Sequence, residues 1–221
     1  MTVLVLASAS TGRRDTLIRA GVRPVVVVST VDEDAVVARY GVTDPAEIAL
    51  VLARAKAEDV ADGDDLPGDG VVLGCDSVLA LDGAVHGKPA DAGQARRRWR
   101  EMRGRSGVLH TGHWVVDLRA DGRGGAVGAT ASTTVHFADL DDDEIDAYIA
   151  TGEPLRVAGA FTVDGFGGPF ITGIEGDQHA VVGVSLPVLR TLLRELGVPW
   201  PSLWNGTERV REHGGPGQAA T

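Results

Sequence analysis

The sequence carries a single cysteine, Cys75, in 221 residues. No intramolecular disulfide can form, and so sparing a use of thiol fits a reducing compartment. No run of about 18 apolar residues occurs, so no membrane-spanning helix is expected. The N-terminus has no basic stretch followed by an apolar core and a cleavage site, which leaves no signal peptide to read. These absences make a cytoplasmic protein the expectation. Positive charge is also short: 21 Lys and Arg face 31 Asp and Glu, for a net charge of −10. Such a field excludes broad binding to nucleic acid or to an acidic membrane. A nucleotide pocket stays open, because a pocket needs only local cations or a metal. Lysine is scarcest of all, with only Lys56 and Lys88 among many arginines.

What is present is ordinary for a soluble globular chain, with 43% hydrophobic and 24% charged residues. The length allows one large domain or two small lobes. The most informative stretch is Leu4-Val5-Leu6-Ala7-Ser8-Ala9-Ser10-Thr11-Gly12-Arg13-Arg14. Leu4–Leu6 reads as a short buried strand, and Leu17, Ile18 and Val22, stopped by Gly21, as a helix. A strand that breaks into two serines, a glycine and two arginines before a helix can bind an anion. Free N–H groups and the positive dipole end face the loop, hydroxyls can donate to phosphate, and Arg can grip it with a planar fork. The same residues also fit a serine N-cap with arginines on a solvated face.

Further along, the β-branched run Pro24–Ser29 predicts a strand buried on both faces, ended by the acids of Thr30–Asp34. Asp44 caps a helix over 46–61. Residues 62–70 read as an exposed linker, and 70–81 as an apolar strand interrupted by Asp76-Ser77. Asp82-Gly83 signals a hairpin or short return into Ala84-Val85. A basic helix is expected over 91–103, then a hairpin of 108–118 and 126–137 about a Gly-rich turn. Residues 139–150 read as a helix, 161–163 and 170–174 as apolar segments flanking a glycine-rich bend, and 188–196 as the last helix, begun by Ser185-Leu186-Pro187. From Ser202 the chain turns polar and Gly-rich, so residues 1–200 are taken as the domain and 201–221 as a tail, frayed from Asn205 on. No internal repeat is present. Hairpins mixed with long crossovers point to an α/β protein with a mixed sheet.

Several short motifs recur in one order: the opening Leu-Ala-Ser-x-Ser-x-x-Arg, Asp32-Glu33, Lys56, Gly74-Cys75-Asp76-Ser77, Gly87-Lys88-Pro89, Ser106-Gly107 with His110-Thr111-Gly112, Thr151-Gly152-Glu153-Pro154, Ala158-Gly159-Ala160-Phe161, and Gly176 with His179-Ala180-Val181-Val182-Gly183. Together they resemble the Maf family of nucleoside triphosphate pyrophosphatases over residues 3 to 197. The resemblance implies a long bent mixed sheet flanked by helices, of the inosine triphosphatase-like kind, with two lobes and a central cleft. It implies a homodimer, a divalent cation such as Mg²⁺ or Mn²⁺, and cleavage of a nucleoside triphosphate to monophosphate and pyrophosphate. A housecleaning role toward noncanonical nucleotides follows from the family alone.

Read as residues, Asp76 is a carboxylate in an apolar strand, which must be paired, metal-bound or at the strand's mouth. A capping aspartate at a turn is the bland alternative. The resemblance makes it the catalytic acid residue, and places Glu33 beside it as a metal ligand or water-orienting group, though an acidic run is more often solvated surface. Two carboxylates suit Mg²⁺, which keeps several waters. Lys88, held non-helical by Pro89, can reach phosphate as a point charge or be an ordinary exposed loop lysine; the resemblance makes both Lys88 and Lys56 functional, neutralising the phosphates. Ser8, Ser10, Arg13, Ser77 and Asp164 complete the substrate-binding set. His110 and His113 lack a third partner for zinc; the resemblance makes His110 structural, and His179 likewise. The glycines of Gly165-Phe166-Gly167-Gly168-Pro169 either bring N–H groups toward a ligand or make a tight bend.

Three positions depart from the family branch that prefers dTTP and UTP: Gly12 replaces an arginine, Ser77 a threonine and Asp164 a glutamine. An ionised Asp only accepts hydrogen bonds, whereas Gln also donates. Asp164 can take the N3–H of uracil or thymine but offers nothing to the flanking carbonyls. It suits donor-rich edges such as those of guanine or cytosine better, so a strict dTTP/UTP preference is not expected. Two other readings remain: a phosphohydrolase releasing orthophosphate, and a nucleotide-binding regulator of septum formation.

Overall fold

The computed structural model describes residues 2–63, 66–120, 122 and 124–205. Seven strands make one mixed sheet in the order β2-β1-β3-β5-β6-β7, with β4 paired to β3 beside that path. β1 (Val3–Leu6) lies between two parallel neighbours, β2 (Val25–Val26) and β3 (Gly70–Leu81). β4 (Ala84–His86), β5 (Ser106–Asp117), β6 (Ala126–Phe137) and β7 (Ile171–Glu175) all join antiparallel. The helices are α1 (Thr11–Arg19), α2 (Glu33–Tyr40), α3 (Pro45–Ala61), α4 (Ala92–Met102), α5 (Asp142–Ala150), α6 (Gln178–Val182) and α7 (Leu186–Glu195). This is the mixed α/β architecture expected from the pattern of elements. No helix among the described residues is long and apolar enough to cross a membrane.

Local chemistry sets most boundaries. Asp44, Asp91, Asp141 and Ser185 cap α3, α4, α5 and α7 through their side chains. Asp82 (φ 50°) and Gly83 (φ 79°) both take left-handed backbone, as a two-residue hairpin turn between β3 and β4 requires. Four apolar clusters result among the described residues, two of them large. One packs Leu4, Leu6, Leu17, Leu73, Cys75, Leu189 and Leu193 between β1, β3, α1 and α7. The other surrounds Trp99 with Phe137, Ile145, Tyr148 and Phe161.

The twelve-residue β3 contributes to both of these clusters, with Leu73 and Cys75 in the first and Leu79 and Leu81 in the second. On one edge β1 pairs with it as far as Leu73, and β4 begins only at Leu79. The interval from Gly74 to Val78 therefore has no strand on that edge, and a cleft opens there. Helix α3 closes onto the sheet face at this point with backbone contact. A Cβ on Gly74 would lie 2.1 Å from the Ala53 carbonyl oxygen, and one on Gly112 would lie 2.2 Å from that of Ala49. Only glycine permits so close an approach, and it brings Lys56 down beside Asp76.

Three expectations change. Pro24–Ser29 is not a doubly buried strand. Only Val25 and Val26 pair with β1, at the sheet edge, and Val25, Val26 and Val28 are 42%, 43% and 58% exposed. A continuous β-branched run reports β-propensity, not the number of covered faces. The acids at 32–34 begin a helix: Asp32 caps α2 by accepting from Ala35 N–H, and Glu33 is its first residue. Residues 201–205, taken with the tail, belong to the fold. Leu203 is fully buried, and the Asn205 amide exchanges hydrogen bonds with the Arg23 backbone at 2.6 and 3.0 Å. The rest of that tail lies outside the described residues.

Candidate active site

A cleft of about 1330 Å³ opens at the gap in β3 pairing. All nine residues singled out in the sequence line it: Ser8, Ser10, Arg13, Glu33, Lys56, Asp76, Ser77, Lys88 and Asp164.

Asp76 and Ser77 are consecutive on a strand, so they point to opposite faces of the sheet. Asp76 turns toward α3. Its Oδ1 accepts from the Lys56 Nζ at 2.5 Å, and the same ammonium lies 2.7 Å from Glu33 Oε1. One lysine thus bridges two carboxylates, while Asp76 Oδ2 and Glu33 Oε2 stay free among the described residues. The two acids differ in environment. Asp76 is only 8% exposed. Burial raises its pKa against the pull of Lys56 and Arg13, and the Glu33 charge adds to the rise. At Glu33 partial burial also pushes upward, but Lys56 on the carboxylate, with Lys88 and Arg13 beyond, brings the pKa below its usual value. Carboxyls driven apart in this way can divide labour, one carrying protons and the other staying anionic.

Ser77 turns to the other face, and its partners fix the direction of its proton. Thr111, fully buried, donates to the Ala180 carbonyl at 2.8 Å. Its oxygen must then accept the Ser77 hydrogen at 2.9 Å. Ser77 Oγ in turn accepts from an Arg13 terminal nitrogen at 3.2 Å. The chain Arg13 to Ser77 to Thr111 to Ala180 commits the Ser77 proton inward. Toward the cleft Ser77 offers an acceptor, and its main contact is the arginine.

Arg13 is locked at three points. Besides Ser77, its Nε donates to the Gly183 carbonyl at 2.8 Å and Nη1 to Ser8 Oγ at 3.0 Å. Gly183 has φ +121°, and a Cβ there would meet Arg13 Nε at 2.9 Å, so glycine is needed for both reasons. N–H groups remain on both terminal nitrogens for an anion. Ser8 accepts from Ser10 N–H as well as from Arg13, which leaves its hydroxyl proton to donate. Ser10 is the N-cap of α1, accepting from Arg13 N–H at 3.4 Å; its hydroxyl proton is likewise free among the described residues. Capping and anion-binding geometry coincide here. Arg14 instead bonds Asp15 at the surface, outside the cleft lining.

Lys88 stands exposed on the loop after β4. Asp164 is exposed on the loop beyond Phe161, with Phe166 beside it at 69% exposure. The glycines of this loop serve a bend. Phe166 N–H donates to Glu153 Oε2 and Gly167 N–H to Oε1, both at 3.0 Å. Tyr148 and Thr162 hydroxyls complete the carboxylate's shell. A Cβ at Gly165 would lie 2.2 Å from Glu153 Oε2. Burial would raise the Glu153 pKa, but these donors hold it below its usual value. Two of the loop's N–H groups, those of Phe166 and Gly167, are thus spent on Glu153. Glu153 and Thr111 are the partners that reading the sequence left without roles; a carboxylate directly after Gly152 in a Gly-rich setting was the available signal.

His110 and His113 fall on opposite faces of β5. His113, buried, accepts Ser185 N–H on Nε2 at 2.7 Å, so it is neutral with its proton on Nδ1. Burial brings its pKa down to about 4. It is a structural residue. Among the described residues no group of three or more His, Cys, Asp or Glu could hold a metal unaided. Glu33 and Asp76 remain as a pair of hard oxygen donors, which matches a cation arriving with phosphates and its own waters.

The sequence model of a family described as Maf-like protein matches residues 3–196. Curated relatives named nucleoside triphosphate pyrophosphatase are similar over nearly the whole chain. The Leifsonia xyli protein is 54% identical, covering 91% of this chain and 96% of the relative. That of Salinispora tropica is 55% identical over 99% and 93%. That of Streptomyces coelicolor is 56% identical over 93% and 96%.

Proposed function

The chain belongs to the Maf-like protein family, and we propose that it is a hydrolase cutting the α–β anhydride of nucleoside triphosphates to nucleoside monophosphate and pyrophosphate. The observation that carries this reading is the Lys56 bridge between a buried Asp76, whose pKa burial raises, and Glu33, whose pKa the neighbouring cations lower, facing an arginine and two donor hydroxyls across one cleft.

In this reading Arg13, Lys56 and Lys88 neutralise the phosphates, with Ser8 and Ser10 donating to their oxygens. Asp76, once ionised, takes a proton from the attacking water. The water oxygen bonds to phosphorus as the bridging P–O bond breaks, and pyrophosphate leaves with the electron pair. Placing fixed positive charge where phosphate charge develops is the larger part of such catalysis. A divalent cation held by the free oxygens of Asp76 and Glu33 would add charge neutralisation and water activation. Asp164 is read as a contact to the base. The same reading takes the enzyme as a cytoplasmic homodimer.

A panel of dTTP, UTP, CTP and GTP with Mg²⁺, with and without chelator, tests the reading through its products. Equal amounts of pyrophosphate and monophosphate, abolished by chelation, are expected. Orthophosphate with diphosphate would make it a phosphatase, and binding without turnover would favour the regulator.

A further inference from the structure

Helix α4 lies behind the cleft wall, and none of its residues line the cleft. It nevertheless buries an arginine. Arg98 is 5% exposed. It has no ion-pair partner among the described residues, and its Nε–H is buried without an acceptor. An uncompensated buried guanidinium is strongly unfavourable, and an apolar side chain of similar length would fill the space without that penalty. Its neighbour Trp99 needs no such explanation: it is the centre of an aromatic cluster and donates to the Ala160 carbonyl at 2.8 Å.

The one bond Arg98 makes is informative. Its Nη1 donates to the Gly87 carbonyl at 2.6 Å, and that carbonyl also accepts Gly159 N–H at 3.1 Å. The Gly87 carbonyl shares a rigid peptide plane with the nitrogen and Cα of Lys88. Glycine leaves that plane free to turn, and Pro89 restricts Lys88 from the other side. Gripping the carbonyl therefore sets where the Lys88 Cα stands in the cleft.

We propose that Arg98 is a positioning residue for Lys88, holding the Gly87–Lys88 peptide from behind the cleft wall so that the lysine is aimed at the phosphates. The inference rests on the role assigned to Lys88 in the proposed function.

A double-mutant cycle tests it, with kcat/KM for whichever of dTTP, UTP, CTP or GTP the wild type turns over best, and thermal unfolding measured on each variant. Arg98→Met alone should lower kcat/KM about tenfold; on the Lys88→Met background it should lower it less than about twofold. Arg98→Lys, which keeps a donor, should fall between, and it carries the same cycle if Arg98→Met does not fold. An equal loss on both backgrounds, or none on the wild type, would overturn the proposal. If Lys88→Met alone keeps full activity, the role of Lys88 is refuted by that single variant and the inference falls with it. Full loss in Lys88→Met with additive Arg98 effects would refute the inference and spare the function.

Discussion

The two ends of the cleft are built in opposite ways. At one end Arg13, Glu33, Lys56 and Asp76 come from α1, α2, α3 and β3, and each is fixed by another member of the set or by a backbone carbonyl. At the other, Asp164 and Phe166 sit on a loop without regular structure, tied down chiefly by the Glu153 carboxylate. In the proposed function, chemistry that tolerates little displacement sits on strands and helices, while the proposed contact to the base sits on a loop that can vary without disturbing the sheet. Variants at the two ends should therefore differ in kind as well as in size.

The largest effect is expected from Asp76→Asn. The amide cannot act as a base, and kcat should fall about a thousandfold. Stability should not fall with it. A carboxyl whose folded pKa is raised destabilises the native state as pH climbs above the unfolded value, so removing the charge relieves that penalty at neutral pH. Thermal unfolding at pH 7 should show a midpoint equal to or above wild type. A cooperative but lower transition would contradict the burial argument.

Lys56→Met should come next, lowering kcat/KM about a hundredfold. It also removes the charge that opposes protonation of both acids. The acidic limb of the pH–rate profile should then move to higher pH, since Asp76 must lose its proton to act. An unmoved limb would show that the lysine does not set the ionisation of the pair.

Much of the first end was legible in the sequence. A carboxylate inside an apolar strand, a lysine on a capped helix and a Ser-x-Ser-x-x-Arg loop each carry a local reason to be there. The Asp44 cap and both hairpins were equally readable, because short-range hydrogen bonding decides them. Exposure of Val25, Val26 and Val28 was not, since covering a strand depends on chain distant in sequence. Nor was the proton direction at Ser77, which depends on Thr111 and Ala180. Helix α2 was hidden because its cap and first turn also read as a solvated acidic run.

Glu153→Gln should act at the loop end. One carboxylate oxygen becomes an NH₂ that cannot accept from the N–H or hydroxyl donors now facing it. The loop should loosen, with KM rising about tenfold and kcat staying within about threefold. A collapse of kcat instead would mean that the two ends are not separable.

The most direct test of that separation is kcat and kcat/KM for dTTP, UTP, CTP and GTP on the wild type and on Asp164→Gln under one Mg²⁺ condition. The wild type should show no strict preference for dTTP and UTP. The substitution should raise the ratio of kcat/KM for UTP over GTP about tenfold, the worth of one matched hydrogen bond, while kcat on the best substrate stays within about threefold. A uniform loss across all four bases, or a wild type that already prefers dTTP and UTP about a hundredfold, would contradict it.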